Sequence, residues 1–273
     1  MGKQIKQSNN KKSKSQLIDV HELYEESVQC VEAEIDFVNQ TYKNIRKKNA
    51  NSLREDFCGT MNTSCEWIRR RKTNIAYSVD IDQSVLDWGI EKKLSRLTKS
   101  QRSRINIING DVTKVKTPGV DIVLAMNFSY WIFKERNTMM DYFRHIYDNM
   151  ADDGIFFLDA FGGPEAIQEM TEDTEFDGYT YTWDQKKYNP ITGEGLFYIH
   201  FKFDDGSRIK RAFTYDWRVW TLPELKEILS EAGFKPYIYW EGTGDDGEGN
   251  GIFTKTELGE ADDSWIAYIV AEK

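Results

Sequence analysis

The chain has 273 residues, 40% apolar and 14% aromatic, enough for a packed core in one large domain or one domain with a sizeable insertion. Its formal charge is −9, and five lysines with no acid in residues 1–14 leave 31 basic against 45 acidic side chains on the rest. A body this acidic is ill-suited to a phosphate backbone, and no run reaches the ~18 apolar residues of a membrane span, so neither nucleic acid nor membrane is an expected partner.

No signal-peptide pattern opens the sequence. The odd set Cys30, Cys58 and Cys65 points to reduced thiols in a cytoplasmic protein rather than a disulfide framework. Residues 1–15 read as a disordered basic tail. Over residues 16–50 the apolar spacing is helical, which predicts an N-terminal helical cap. The rhythm then changes: strand-like runs at 52–57, 75–80, 104–109, 120–127 and 154–161 alternate with helical stretches at 62–71, 83–95 and 134–150. That alternation predicts an α/β core over 51–175, with a parallel Rossmann-like sheet and helices on both faces.

A helix is expected near 164–172. Strands at 178–187, 195–204 and 207–217, separated by the turn sequences Asn189-Pro-Ile-Thr-Gly193 and Asp204-Asp-Gly-Ser207, predict a three-stranded antiparallel insertion over 176–220. Residues 221–273 then return to the core, through a helix at 222–232 and a final hairpin of strands at 235–241 and 264–271. The Gly- and acid-rich stretch 242–251 reads as a surface loop.

The chemistry concentrates in Leu53-Arg-Glu-Asp-Phe-Cys-Gly-Thr-Met-Asn-Thr-Ser64, where a strand meets Cys58-Gly59-Thr60 and turns into a helix. Glycine permits a tight turn and close approach of a ligand to the backbone. The helix start offers unpaired N–H groups to an anionic group. Glu55, one turn back, can accept from an amine or hydroxyls. This set suits a ligand carrying both an ammonium and a carboxylate. Phosphate readings weaken, because Phe57 and Met61 replace glycines of a dinucleotide loop and no lysine follows the last glycine. Asp80, 21 residues beyond Gly59, has the spacing of a ribose-binding acid; Asp111 ends the third strand, and Asn127-Phe-Ser-Tyr-Trp131 follows the fourth.

These motifs, in this order, resemble class I S-adenosylmethionine (SAM)-dependent methyltransferases from about residue 20 to the end. Glu55-Asp-Phe-Cys-Gly-Thr60 matches the family's donor loop, Asp80 its ribose-binding acid, Asp111 with Val112 its adenine site, and Asn127-Phe128 its fourth-strand end. The departures are Phe57 and Met61, where many members have glycine. The resemblance implies a seven-stranded sheet with the last strand antiparallel, SAM as cofactor and S-adenosylhomocysteine as product. It assigns the cofactor to Glu55, Phe57, Cys58, Gly59, Thr60, Asp80, Ile81, Asp111, Val112, Asn127 and Phe128; Tyr24 and Gln29, in the entry helix, either cover its methionine end or serve ordinary helix packing.

Methyl transfer needs placement more than acid–base chemistry, so a lid and an acceptor pocket are expected rather than a catalytic dyad. The insertion, with Trp183, Tyr215, Trp217 and other rings, is the natural lid. Its alternation leaves one apolar face to pack on the parallel sheet or, in a homodimer, on a second subunit. A minority of rings facing the donor would form a wall suited to a cationic or aromatic amine. Tyr215, Asp216 and Arg218 form the densest polar cluster; Asp216 and Arg218 either pair with each other or orient the acceptor. Asp159, at the end of the fifth strand, and Trp131 point at the same rim. The acceptor is expected to be a small molecule, at nitrogen or sulfur in preference to oxygen. A protein or peptide side chain, and a non-catalytic SAM sensor, are the alternatives. No metal is expected, since no His/Cys/Asp cluster has ligand spacing.

Overall fold

A computed structural model describes residues 12–244 and 249–273. In chain order its helices are α1 (Lys14–Leu17), α2 (Val20–Val28), α3 (Val31–Arg46), α4 (Asn62–Arg70), α5 (Gln83–Lys92), α6 (Lys99–Arg102), α7 (Arg136–Asn149) and α8 (Leu222–Ala232). Its strands are β1 (Ser52–Asp56), β2 (Ile75–Asp80), β3 (Ile105–Asn109), β4 (Ile122–Ala125), β5 (Ile155–Gly162), β6 (Met170–Phe176), β7 (Tyr179–Asn189), β8 (Glu194–Phe203), β9 (Arg208–Arg218), β10 (Lys235–Thr243), β11 (Gly249–Thr256) and β12 (Trp265–Glu272).

Among the described residues, the main sheet has eight strands in the order β11-β10-β12-β5-β4-β1-β2-β3. From β3 to β5 neighbours run parallel, and β12 is antiparallel to β5. The apolar runs of β4 and β5 follow from burial on both faces. Alternate residues serve opposite layers: Val123, Ala125, Phe156, Leu158 and Ala160 meet α7 and α8, while Ile122, Leu124, Ile155 and Phe157 meet α3 and α4. Helix α7 buries Met139, Met140, Tyr142, Phe143 and Ile146, the stripe that a 3.6-residue period directs inward.

The antiparallel sheet, β6-β7-β8-β9, stands apart from the main one. Register places Glu172, Trp183, Ile199 and Phe213 in one row across its four strands, on the face turned to the rest of the molecule. Helix α2 lies on that face and packs Val20, Leu23, Tyr24 and Val28 against Tyr179, Ile199, Phe201 and Phe203.

Four expectations change. The insertion has four strands, not three, because Met170–Phe176 pairs along β7; the helix expected at 164–172 is only a 3-10 turn at Pro164–Ile167. The main sheet gains an eighth strand, β11, from a stretch read in part as loop, and β10 continues to Thr243. Residues 245–248 of that loop, and residues 1–11 of the tail, lie outside the described residues. The tail's last residues are anchored: the Lys14 N–H donates to Asp205 Oδ2 at 2.8 Å, and the Lys14 ammonium pairs with Asp204 at 2.7 Å.

Candidate functional site

Two cavities open at the carboxyl ends of the parallel strands, where ligands of open α/β sheets bind. The first, about 320 Å³, is bounded by the ends of β1, β2 and β4, the loop 57–60, α2 and β9. The second, about 260 Å³, lies between the antiparallel sheet and the end of β5. They share Tyr24, Asn127, Tyr215 and Trp217, so these four residues form the junction between them.

The loop owes its course to three left-handed residues, Phe57 (φ 57°), Gly59 (φ 50°) and Met61 (φ 63°). Non-glycine residues disfavour this region by about 1–2 kcal/mol each. Burial offsets that strain: Met61 is fully buried, and Phe57 packs on Phe133 and Tyr142. The loop therefore takes a glycine-like path without two of the glycines. A second glycine supports it from outside. Gly89 of α5 lies so close that an added Cβ would stand 2.5 Å from the Thr60 carbonyl oxygen.

Hydrogen bonds fix the acids around this loop. The Gly59 N–H donates to Asp80 Oδ2 at 2.8 Å. Glu55 Oε2 accepts from the Ser64 N–H at 2.9 Å and from the Ser64 hydroxyl, at the start of α4. Burial outweighs these bonds and pushes the Glu55 carboxyl up to about 8. Glu34 of α3 is also buried, pushed up to about 7, and its Oε2 has no partner among the described residues. The Cys58 thiol is raised by burial, which argues against a nucleophilic role.

Helix α2 straps the first cavity. Glu25 accepts from the Thr60 hydroxyl at 2.5 Å and pairs with Lys93; Gln29 Oε1 accepts from the Asn62 amide at 3.0 Å; Asp19 Oδ2 accepts from the Trp88 indole at 2.7 Å. Sequence reasoning expected Tyr24 and Gln29 here but missed Glu25 and Asp19, whose partners lie 35 and 69 residues away.

At the junction, Asn127 and Phe128 are consecutive left-handed residues (φ 57° and 55°). Asp159 holds both: Oδ2 accepts from the Asn127 N–H at 2.7 Å and Oδ1 from the Phe128 N–H at 2.9 Å. Burial raises its carboxyl to about 7 although both oxygens accept. Asp159 thus shapes the loop and does not line either cavity.

Of the anticipated site residues, Tyr24, Gln29, Glu55, Phe57, Cys58, Gly59, Thr60, Asp80 and Asn127 line the first cavity together. Phe128 faces the second, and Tyr215 touches both. The others are not brought there. Ile81 is largely exposed, and Val112 is buried. Asp111 accepts from the Thr113 N–H and hydroxyl; its pair with Lys114, followed by the Thr113 hydroxyl bond, holds it down at about 2. Trp131 is buried against Phe128, Phe161 and Trp217. Asp216 and Arg218 are not paired with each other: Asp216 takes Lys134 at 2.5 Å, and Arg218 takes Glu224 at 2.7 Å while stacking over Trp220.

The charge of the first cavity limits its ligand. Asp80 and Asp82 line it as free carboxylates, beside Glu55, which burial holds protonated near neutrality, and Asp56, which is paired with Arg54; no lysine or arginine lines it among the described residues. Such a wall disfavours phosphates and favours a cation. Arg54, behind the wall, is consumed by Asp56, at 2.6 and 3.2 Å, and by the carbonyls of Val112 and Val115.

Strand order, antiparallel last core strand and the cavity at the carboxyl ends together give the class I methyltransferase fold. No protein-family model matches the sequence, and a comparison with curated proteins finds no match. Solved structures do match. One is an S-adenosylmethionine-dependent methyltransferase from Clostridium acetobutylicum, 13% identical, TM-score 0.69, covering 91% of this chain and 96% of that one. Another is a SAM-bound amino pentose methyltransferase from Micromonospora echinaspora, 13% identical, TM-score 0.67, with 93% and 97% covered. A third is a sugar N-methyltransferase from Streptoalloteichus, 15% identical, TM-score 0.63, with 94% and 93% covered. At these identities the likeness is one of fold.

Proposed function

We propose that the protein is an enzyme, a SAM-dependent methyltransferase that acts on a small-molecule acceptor. The observation that carries this reading is the pair of joined cavities: one acidic and, among the described residues, lined by no lysine or arginine, the other aromatic, with a four-residue junction between them. SAM fits the first by charge, since a sulfonium and an ammonium outweigh its one carboxylate. The start of α4, which follows the Gly59 turn, suits that carboxylate, with Glu55, Thr60 and Gln29 at the amino-acid end and Asp80 at the ribose.

When bound, SAM would supply an electrophilic methyl group on positively charged sulfur, with a neutral thioether as leaving group and the acceptor's proton lost to solvent. The chain's contribution is placement. Holding two reactants in line can be worth about 7–11 kcal/mol. Asn127, fixed by Asp159, and Tyr24, Tyr215 and Trp217 line the place where the two ligands would meet. Burial pushes the Tyr24 hydroxyl up to about 12, so neither it nor the other three junction residues is a ready base. With no base at the junction, acceptors whose proton is lost to solvent far more readily than an alcohol's, nitrogen or sulfur, are therefore preferred to alcohols. The neighbours described as amino pentose and sugar N-methyltransferases support a small nitrogen acceptor.

The test is SAM consumption by purified protein with panels of amines, thiols and alcohols, followed as S-adenosylhomocysteine by mass spectrometry. Turnover with an amine or thiol is expected. SAM binding without turnover on any panel would favour a sensor.

A further inference from the structure

The second cavity has a charge pattern of its own. Glu165, from the turn after β5, and Glu172, on edge strand β6, both line it, and among the described residues no lysine, arginine or histidine does. Neither carboxylate has an ion-pair partner among the described residues. Glu172 stands directly opposite Trp183 in the β6–β7 ladder. Trp183 stacks on Phe197 with ring centroids 5.3 Å apart, and Tyr215 stacks on Trp217 at 4.3 Å, so the rings of this wall are held in place. Gln185 adds a directional group. It is buried, and its amide nitrogen donates to the backbone carbonyls of Glu165 and Gln168 at 2.8 and 3.2 Å. What remains of that side chain is a carbonyl oxygen, an acceptor only.

Two unpaired carboxylates, an acceptor-only amide and electron-rich ring faces form one kind of receptor. Each element attracts a positively charged hydrogen-bond donor, and none compensates an anion. We infer that the acceptor carries an ammonium group as a recognition handle, separate from the atom that takes the methyl because a protonated nitrogen has no lone pair, and that it is read by Glu165, Glu172 and the face of Trp183, with Gln185 taking one of its N–H donors. The substrate class is thus small cationic amines with an apolar or aromatic body, not carboxylates, phosphates or neutral alcohols. The inference rests on the methyltransferase reading only for the word acceptor. The ammonium site is testable without SAM.

The experiment titrates the full-length protein with benzylammonium, benzyl alcohol and benzoate at pH 7, following tryptophan fluorescence and calorimetry. Benzylammonium should bind saturably, about tenfold more tightly than benzyl alcohol, with benzoate weaker still. The double variant Glu165→Gln/Glu172→Gln should bring benzylammonium and benzyl alcohol to within about twofold of each other, while Trp183→Leu weakens benzylammonium alone. Equal or better binding of benzyl alcohol or benzoate would overturn the proposal. So would no saturable binding of benzylammonium, or an undiminished preference in the double variant. A parallel SAM titration separates the two readings: failure of SAM to bind defeats the donor assignment and leaves the ammonium result standing.

Discussion

Replacing Arg54 by methionine tests how the donor loop is held. Arg54 and Asp56 are both essentially fully buried and joined by two N–H···O contacts, 2.6 and 3.2 Å. The same guanidinium donates to the Val112 and Val115 carbonyls at 2.9 Å each, and the Tyr142 hydroxyl donates to Asp56 Oδ2 at 2.8 Å. Arg54→Met keeps the volume but leaves a buried carboxylate with only a tyrosine and orphans the Val112 carbonyl, while the Val115 carbonyl keeps His145 Nε2 at 2.7 Å. Breaking one side of a buried pair costs about 3–5 kcal/mol. At about 2–4 °C per kcal/mol, the melting temperature should fall by about 6–20 °C. Thermal denaturation of the wild type, Arg54→Met and Arg54→Met/Asp56→Leu supplies the assay. The double variant should recover part of the loss, because it removes the stranded charge. A single variant melting within about 2 °C of wild type, or a double variant less stable than the single, would refute the reasoning.

Two further outcomes follow. Glu34, Glu55 and Asp159 carry folded-state values of about 7, 8 and 7, above their ordinary carboxylate range. The folded ligand-free protein therefore holds protons that the unfolded chain has released, and the stability these three groups contribute is full below the ordinary carboxylate values and is lost as pH rises through about 8. Urea midpoints should be higher at pH 6 than at pH 8.5, and Glu55→Gln should flatten the trend; a profile rising with pH would contradict the burial argument. Glu25→Gln removes the charge that ties α2 to Thr60 and Lys93. Donor affinity should fall by about tenfold with a faster off-rate in stopped-flow measurements, and an unchanged off-rate would show that α2 is no strap.

The parallel core was legible because its strands are buried on both faces and its helices carry a 3.6-residue stripe, two signals that need no tertiary knowledge. Strand β6 was not. Its residues, Met170-Thr-Glu-Asp-Thr-Glu-Phe176, are mostly exposed at a sheet edge, so no hydrophobic run marks them and only pairing with β7 reveals the strand. The donor loop was readable from Glu55, Gly59 and Asp80 by type and spacing. The left-handed course of Phe57 and Met61 was not, since burial by distant residues is what tolerates it. Asp216 and Arg218 share a strand face as their spacing suggests, but Lys134 and Glu224, brought in by other segments, claim them. Glu165, Glu172 and Gln185 escaped notice for the same reason: each becomes a site residue only through the fold.

The central claim is that the acidic cavity takes SAM. Isothermal titration of purified protein with SAM, beside Asp80→Ala, tests it most directly, because Asp80 both lines the cavity and accepts the Gly59 N–H. The account predicts saturable binding at one site per chain and an affinity about tenfold or more lower in the variant. No heat from the wild type, or equal affinity in the variant, would contradict it.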